Sequence, residues 1–231
     1  MQAALNDAES QSRTLFELGN VAEIYFSERV VLCEGKTDRR LLPLAYERLY
    51  GVPPELDQIT FVSLGACSDI PKAMPVLAAM GIKACAIADL DFAFVDARKG
   101  GCTSLLPKDR ADVQFTKDSL LRLKGVHGFH LGDNGLPAKV KNLTWQAADT
   151  WAVWAQDVEG KKIASAVHNE LKAMGIWVWR NGSIEQVTQY DQKGEDAIIE
   201  QEMELRELDA AAIDLKMPEF KKCFEWIKGM N

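Results

Sequence analysis

The sequence predicts an α/β fold: a mostly parallel sheet flanked by helices, with a helical insertion and a helical C-terminal tail. Three observations predict it. Apolar runs of strand length at 29–34, 59–64 and 83–89 alternate with helical patterns over about sixty residues. The first and third runs end on acids, Glu34 and Asp89. After Asp91 the alternation stops, helical periodicity takes over, and strand character returns only at 175–180.

Residues 6–27 read as a helix, with Leu15, Leu18, Ala22 and Tyr25/Phe26 on one apolar face. The first strand follows at 29–34. Thr37 is a candidate cap for the next helix, which carries Leu41, Leu42, Leu44, Ala45, Leu49 and Tyr50 and stops at Gly51-Val52-Pro53-Pro54. The second strand, Ile59 to Leu64, closes at Gly65. A helix from Asp69 to Met80 stops at Gly81, and the third strand runs from Lys83 to Asp89.

Residues 92–111 read as a loop. Helices follow at 116–124, 143–157 and 159–174, the first two separated by Gly125, Gly128, Gly132 and Gly135. Trp151 and Trp154, spaced i,i+3, share a face and belong to a packed helical core rather than to a base-stacking surface. Gly182-Ser183-Ile184-Glu185 is a turn opening a short helix. The tail at 195–229 is helical, and Pro218 breaks it before a last amphipathic helix with Phe220, Cys223, Phe224 and Ile227. The domain boundaries expected are 1–94, a mainly helical insertion at 95–174, and a return at 175–231.

Composition narrows the function classes. The 231 residues are 47% hydrophobic and 26% charged, an ordinary globular profile, and no apolar run reaches the roughly 18–20 residues that span a bilayer. The N-terminus lacks a signal-peptide pattern, so a cytoplasmic location is expected. Five cysteines without a Cys-x-x-Cys pair argue against a zinc site or a disulfide framework, and Cys33 and Cys85 read as small core residues. The net charge of −7 argues mildly against a nucleic-acid surface, although 108–141 holds seven Lys/Arg against four acids.

Acids at strand ends are the chemically informative feature. Open parallel sheets bind ligands beyond the carboxyl ends of their strands, where Glu34 and Asp89 fall. Asp91, two residues on, points with Asp89 if the backbone is extended, and Asp38 lies in the first turn of the following helix. Four carboxylates converging in a cleft need a cation, and oxygen donors select Mg²⁺ or Mn²⁺. A metal-dependent enzyme acting on phosphates is the expectation. Gly35-Lys36-Thr37 matches the end of a P-loop, but Val30 stands where its first glycine belongs, and strand occupies the loop's place.

The joint pattern of Glu34 and Asp89-Leu90-Asp91 resembles the Toprim domain. The segment Phe26-Ser27-Glu28-Arg29-Val30-Val31-Leu32-Cys33-Glu34-Gly35-Lys36-Thr37-Asp38 is similar to the opening of that domain in OLD-family (overcoming lysogenization defect) nucleases. The resemblance covers 20–91 and extends to 175–195. It implies a metal-dependent DNA endonuclease using two ions, Mg²⁺ or Mn²⁺. One ion falls to Glu34, Asp38 and Asp89, the other to Glu185 with Ser183 and Asp91, and Lys193 is the family's catalytic lysine. It further implies an ATPase domain in the same full-length protein, absent here, possible homodimerisation through that domain, no membrane partner and a role in phage defence. A helix leading directly into the first strand suits an excised C-terminal region. Alternatives are a Toprim ribonuclease or nucleotidyl transferase, or a non-catalytic metal-dependent nucleic-acid-binding module. Topoisomerase chemistry needs a nucleophilic tyrosine, whereas Tyr25, Tyr46 and Tyr50 fall on helices expected to face a core.

Overall fold

A computed structural model describes residues 21–98, 105–107, 110–138, 145–190 and 194–230. The chain divides into two compact units, 1–87 with 187–231, and 88–186.

The first unit is α/β. After a short helix, α1 (Val21–Tyr25), come β1 (Arg29–Cys33), α2 (Lys36–Tyr50), β2 (Ile59–Ser63), α3 (Ile70–Ala79) and β3 (Lys83–Ala88). β1 is central and parallel to both neighbours, with Val31 opposite Phe61 on β2 and Cys85 on β3. Val30 to Cys33, Ile59 to Val62 and Cys85 to Ala88 are all buried, the near-continuous apolar reading of parallel strands covered on both faces. The chain crosses from β2 past β1 to β3, so the strand order reverses at β1, the kind of position where open parallel sheets bind ligands.

α2 starts two residues after β1, at Gly35 rather than Thr37, and ends on Gly51 in the left-handed region. This leaves no phosphate-wrapping loop between β1 and α2. The tail forms α8 (Glu195–Glu207), α9 (Ala210–Lys216) and α10 (Pro218–Gly229), numbered after the helices of the second unit, and all three pack on α2. Arg40 ties α2 to α8 by pairing with Glu195 and, at 2.6 Å, with Glu202, while Arg48 donates to the Leu208 carbonyl. Pro218 opens α10 at its first position, as the sequence indicated. Of the helix expected at 6–27, residues 6–20, with Leu15 and Leu18, lie outside the described residues; Ile24 is buried, whereas Tyr25 is 58% and Phe26 85% exposed. Tyr46, in contrast, is buried, and its hydroxyl binds Asp57.

The second unit is mostly helical. Two 3-10 turns, Leu90–Ala93 and Asp96–Arg98, occupy part of the expected loop. Then come α4 (Ala111–His127), α5 (Ala147–Gln156), α6 (Val158–Ala173), β4 (Ile176–Val178) and the start of α7 (Ile184–Thr188). α4 is longer than the expected 116–124. It runs through Gly125, because one interior glycine costs only about 1 kcal/mol, and stops at Gly128, which takes the left-handed cap conformation. Trp151 and Trp154 are buried edge-to-face with centroids 5.4 Å apart, Phe94 stacks on Trp151, and Trp154 Nε1 donates to Ser119 Oγ. The core reading of the tryptophans is the one observed. β4 leads into a backbone bond from Trp179 N to the Ala88 carbonyl, at the end of β3. Among the described residues, no helix is long and apolar enough to cross a membrane.

Two carboxyls contribute to the acid response. Hydrogen bonds from Tyr46 and then Lys228 hold Asp57 below its ordinary 3.8, and Arg122 does the same for Asp157, which caps α6 through Glu159 N. A lowered folded value contributes stability above the unfolded value and loses it as pH falls through the folded one. Thermal unfolding is therefore expected to be insensitive to these groups from pH 7 to 5 and to weaken below about pH 4. The double change Asp57→Asn, Asp157→Asn should make that acid limb shallower, read as melting temperature against pH.

Candidate active site

In the first unit, β1 delivers its chain to Glu34 at the carboxyl end of the central strand, half-buried. The register continues with Cys33 opposite Ile87, two residues before Asp89. Asp38 is buried, and its Oδ2 accepts the Gly35 N–H at 3.2 Å, closing the first turn of α2. Beneath it, the Cys33 thiol is pushed well above its ordinary value, first by burial and then by the charge of Asp38. Cys85 is pushed up to about 12 by burial. Cys33, Cys67, Cys85 and Cys223 are all buried and outside any disulfide.

The second unit holds the other acids. Asp89 is extended (φ −70°, ψ 164°) and caps the 3-10 turn that contains Asp91. The two do not point alike through strand alternation, as the sequence suggested, because the chain has already turned at Leu90. That turn is anchored by a 2.7 Å bond from Leu90 N to the Gly182 carbonyl. Asp89-Leu90-Asp91 is thereby placed beside Gly182-Ser183-Ile184-Glu185, nearly a hundred residues away in sequence. Ser183 is buried, and its Oγ lies 2.6 Å from Glu185 Oε2 and 3.1 Å from the Gln186 side-chain oxygen. Its one hydrogen goes to the carboxylate, the closer and charged acceptor, which orients Glu185.

Gly182 is required twice. Its φ is +126°, and a Cβ there would meet the Ala152 Cα at 3.3 Å on α5. Gly182→Ala is expected to destabilise by about 1–3 kcal/mol, read as a lower denaturant midpoint with unchanged slope.

The structure also shows residues the sequence reading passed over. Arg98 is buried in the presumed loop and donates to the carbonyls of Ala93 and Pro107 and to Asp112 Oδ2 at 2.8 Å. It holds the segment that follows the Asp89–Asp91 turn. Nothing in the Lys/Gly-rich sequence around it announces a buried cation. Gln186, which reaches the Ser183 hydroxyl, had no motif to mark it. Lys193 lies outside the described residues. Among the described residues no three His, Cys, Asp or Glu side chains form a ready-made metal cage.

Residues 25–91 match the family model of the overcoming lysogenization defect protein-like Toprim domain. The chain carries an OLD-like Toprim domain. The matched Toprim segment contains Glu34, Asp38, Asp89 and Asp91, and stops before Ser183, Glu185 and Lys193. The Old nuclease of Escherichia phage P2 is 26% identical over 187 residues, covering 79% of this chain and 30% of that protein. The chain thus spans less than a third of that relative's length. Two solved structures of the C-terminal region of the Xanthomonas campestris pv. campestris OLD protein are similar at 13% and 14% identity. Both matches cover 89% of this chain, with 94% and 96% of the solved chains and TM-scores of 0.40 and 0.38.

Proposed function

We propose that this Toprim-bearing chain is a metal-dependent DNA endonuclease region that hydrolyses phosphodiester bonds with two divalent cations. One observation carries the reading: the segment that matches the Toprim model contains Glu34 at the end of the central strand and the Asp89-Leu90-Asp91 turn. The relative of phage P2 carries the name nuclease, which supports the same chemistry.

The donor set fits a hard cation. Glu34, Asp38, Asp89, Asp91 and Glu185 offer oxygen, and the described cysteines are buried. Glu34, Asp38 and Asp89 would hold one ion, and Glu185 with Asp91 and Ser183 the other. Such ions supply water activation and neutralisation of the leaving oxygen. The protein's own contribution is orientation: Gly35 N–H fixes the Asp38 carboxylate, and the Ser183 hydroxyl fixes Glu185. Lys193 would neutralise charge on the scissile phosphate.

Residues 95–174 form, on this reading, a helical insertion within the Toprim domain, which resumes at 175. The chain works in the cytoplasm beside an ATPase domain, through which it dimerises, in defence against phage.

Supercoiled plasmid incubated with Mg²⁺ or Mn²⁺ is expected to be nicked or linearised, and EDTA should abolish this. Cleavage that persists in EDTA overturns the metal requirement. Intact plasmid beside degraded RNA in the same tube overturns the DNA assignment.

A further inference from the structure

We propose that a cleft between α4 and α5 binds an unpaired nucleobase of the DNA strand that is cut, an inference that rests on the nuclease reading above. The cleft measures about 500 Å³ and is lined by Leu123 and His127 of α4, Val153 and Gln156 of α5, and Gln186 of α7. That volume falls within the roughly 300–1,000 Å³ of small-ligand sites.

Its walls have the chemistry of a base site. Leu123 and Val153 supply apolar contact, and the amides of Gln156 and Gln186 can both donate and accept along a base edge. At the α4 end the exposed His127 ring lies nearly parallel to Phe129, centroids 6.5 Å apart, and Phe129 to Trp145 at 6.4 Å. Trp145 is part-exposed and fixed by its Nε1 bond to Thr150 Oγ1. Trp145, fixed and part-exposed, and the exposed His127 ring offer faces for base stacking, with buried Phe129 packed against both.

Charge and position are compatible with nucleic acid as the occupant. Asp157, also on the wall, is paired with Arg122 at 2.8 Å. Lys124, exposed and three residues before His127 on α4, has no ion-pair partner among the described residues and is available to a backbone phosphate. Gln186 adjoins Glu185 in sequence and reaches the Ser183 hydroxyl that orients it. The cleft wall therefore lies directly beside the hydroxyl that orients the candidate metal-binding acid.

The test uses the whole chain in EDTA and follows fluorescence polarisation of a labelled single-stranded thymidine oligonucleotide and of a duplex. His127→Ala and Val153→Asp are expected to weaken single-strand binding about tenfold and duplex binding less than about twofold, with unchanged circular dichroism. Quenching of tryptophan emission on binding should accompany the wild-type complex. Wild-type affinity in both variants, equal losses for single strand and duplex, or no single-strand binding by the wild-type chain overturns the cleft. The nuclease reading fails separately, by absence of metal-dependent plasmid cleavage, and the EDTA measurement decides the cleft in either case. Cleavage by a chain that binds no single strand overturns the cleft alone.

Discussion

Gly160→Ala is expected to destabilise the second unit by about 3 kcal/mol, at the upper end of ordinary overpacking. Gly160 sits in the first turn of α6, directly after the tight passage from α5. A Cβ at this position would lie 1.9 Å from the Trp154 carbonyl oxygen and 2.8 Å from its carbon. Those atoms are backbone at the end of α5, so relief requires moving a helix whose Trp154 side chain is wholly buried. Sequence rules predict the opposite sign, since alanine is favoured over glycine inside helices by roughly 0.5–1 kcal/mol. Gly125, inside α4 with open space where its Cβ would go, is the control. Gly125→Ala should stabilise by that smaller amount. Chemical denaturation of both variants checks the pair, and a Gly160→Ala protein as stable as wild type would refute the contact.

Truncating Arg98 should cost about 3–5 kcal/mol, the usual loss when one partner of a buried ion pair is removed. The guanidinium is 4% exposed and spends three nitrogens on Ala93, Pro107 and Asp112 while lying over the Phe94 ring at 5.7 Å. Arg98→Met keeps the stem and loses all three bonds, and among the described residues Asp112 keeps the longer 3.4 Å contact to Arg110. Arg98→Lys preserves charge without the planar fork and should recover only part of the loss. A melting temperature lowered by about 6–20 °C in Arg98→Met is the expected reading. The same variant should lose protection from hydrogen exchange at 90–98, because that segment owes its order to the fork.

These residues show where sequence reading succeeds and where it stops. The strands around Val31, Phe61 and Cys85 were legible because both faces of a parallel sheet are buried, so the apolar runs are uninterrupted. Glu34 and Asp89 were legible as acids at the ends of such runs. Asp38 was read as an acid at a helix start, and its bond to Gly35 N–H adds a capping role that spacing alone permits but does not specify. The common orientation assigned to Asp89 and Asp91 assumed an extended chain, and the 3-10 turn at Leu90 replaced it. The pairing of that turn with Gly182 is a contact between distant segments, which no local pattern encodes. Tyr25 was assigned to a buried face by helical spacing alone, yet it is exposed. Arg98 was invisible because a buried arginine differs from a surface one only in what surrounds it.

The central claim is that the acids of the Toprim segment carry metal-dependent DNA cleavage. The most direct measurement is the initial rate of plasmid cleavage by Glu34→Gln and Asp89→Asn beside wild type, at saturating Mn²⁺, with folding verified by circular dichroism. Each substitution keeps the shape and removes one charge. The account predicts metal-dependent cleavage by the wild type and a loss of ~10²–10³-fold in each variant, the scale seen when one stabilising group is removed from a preorganised site. Folded variants that cleave at the wild-type rate would contradict it.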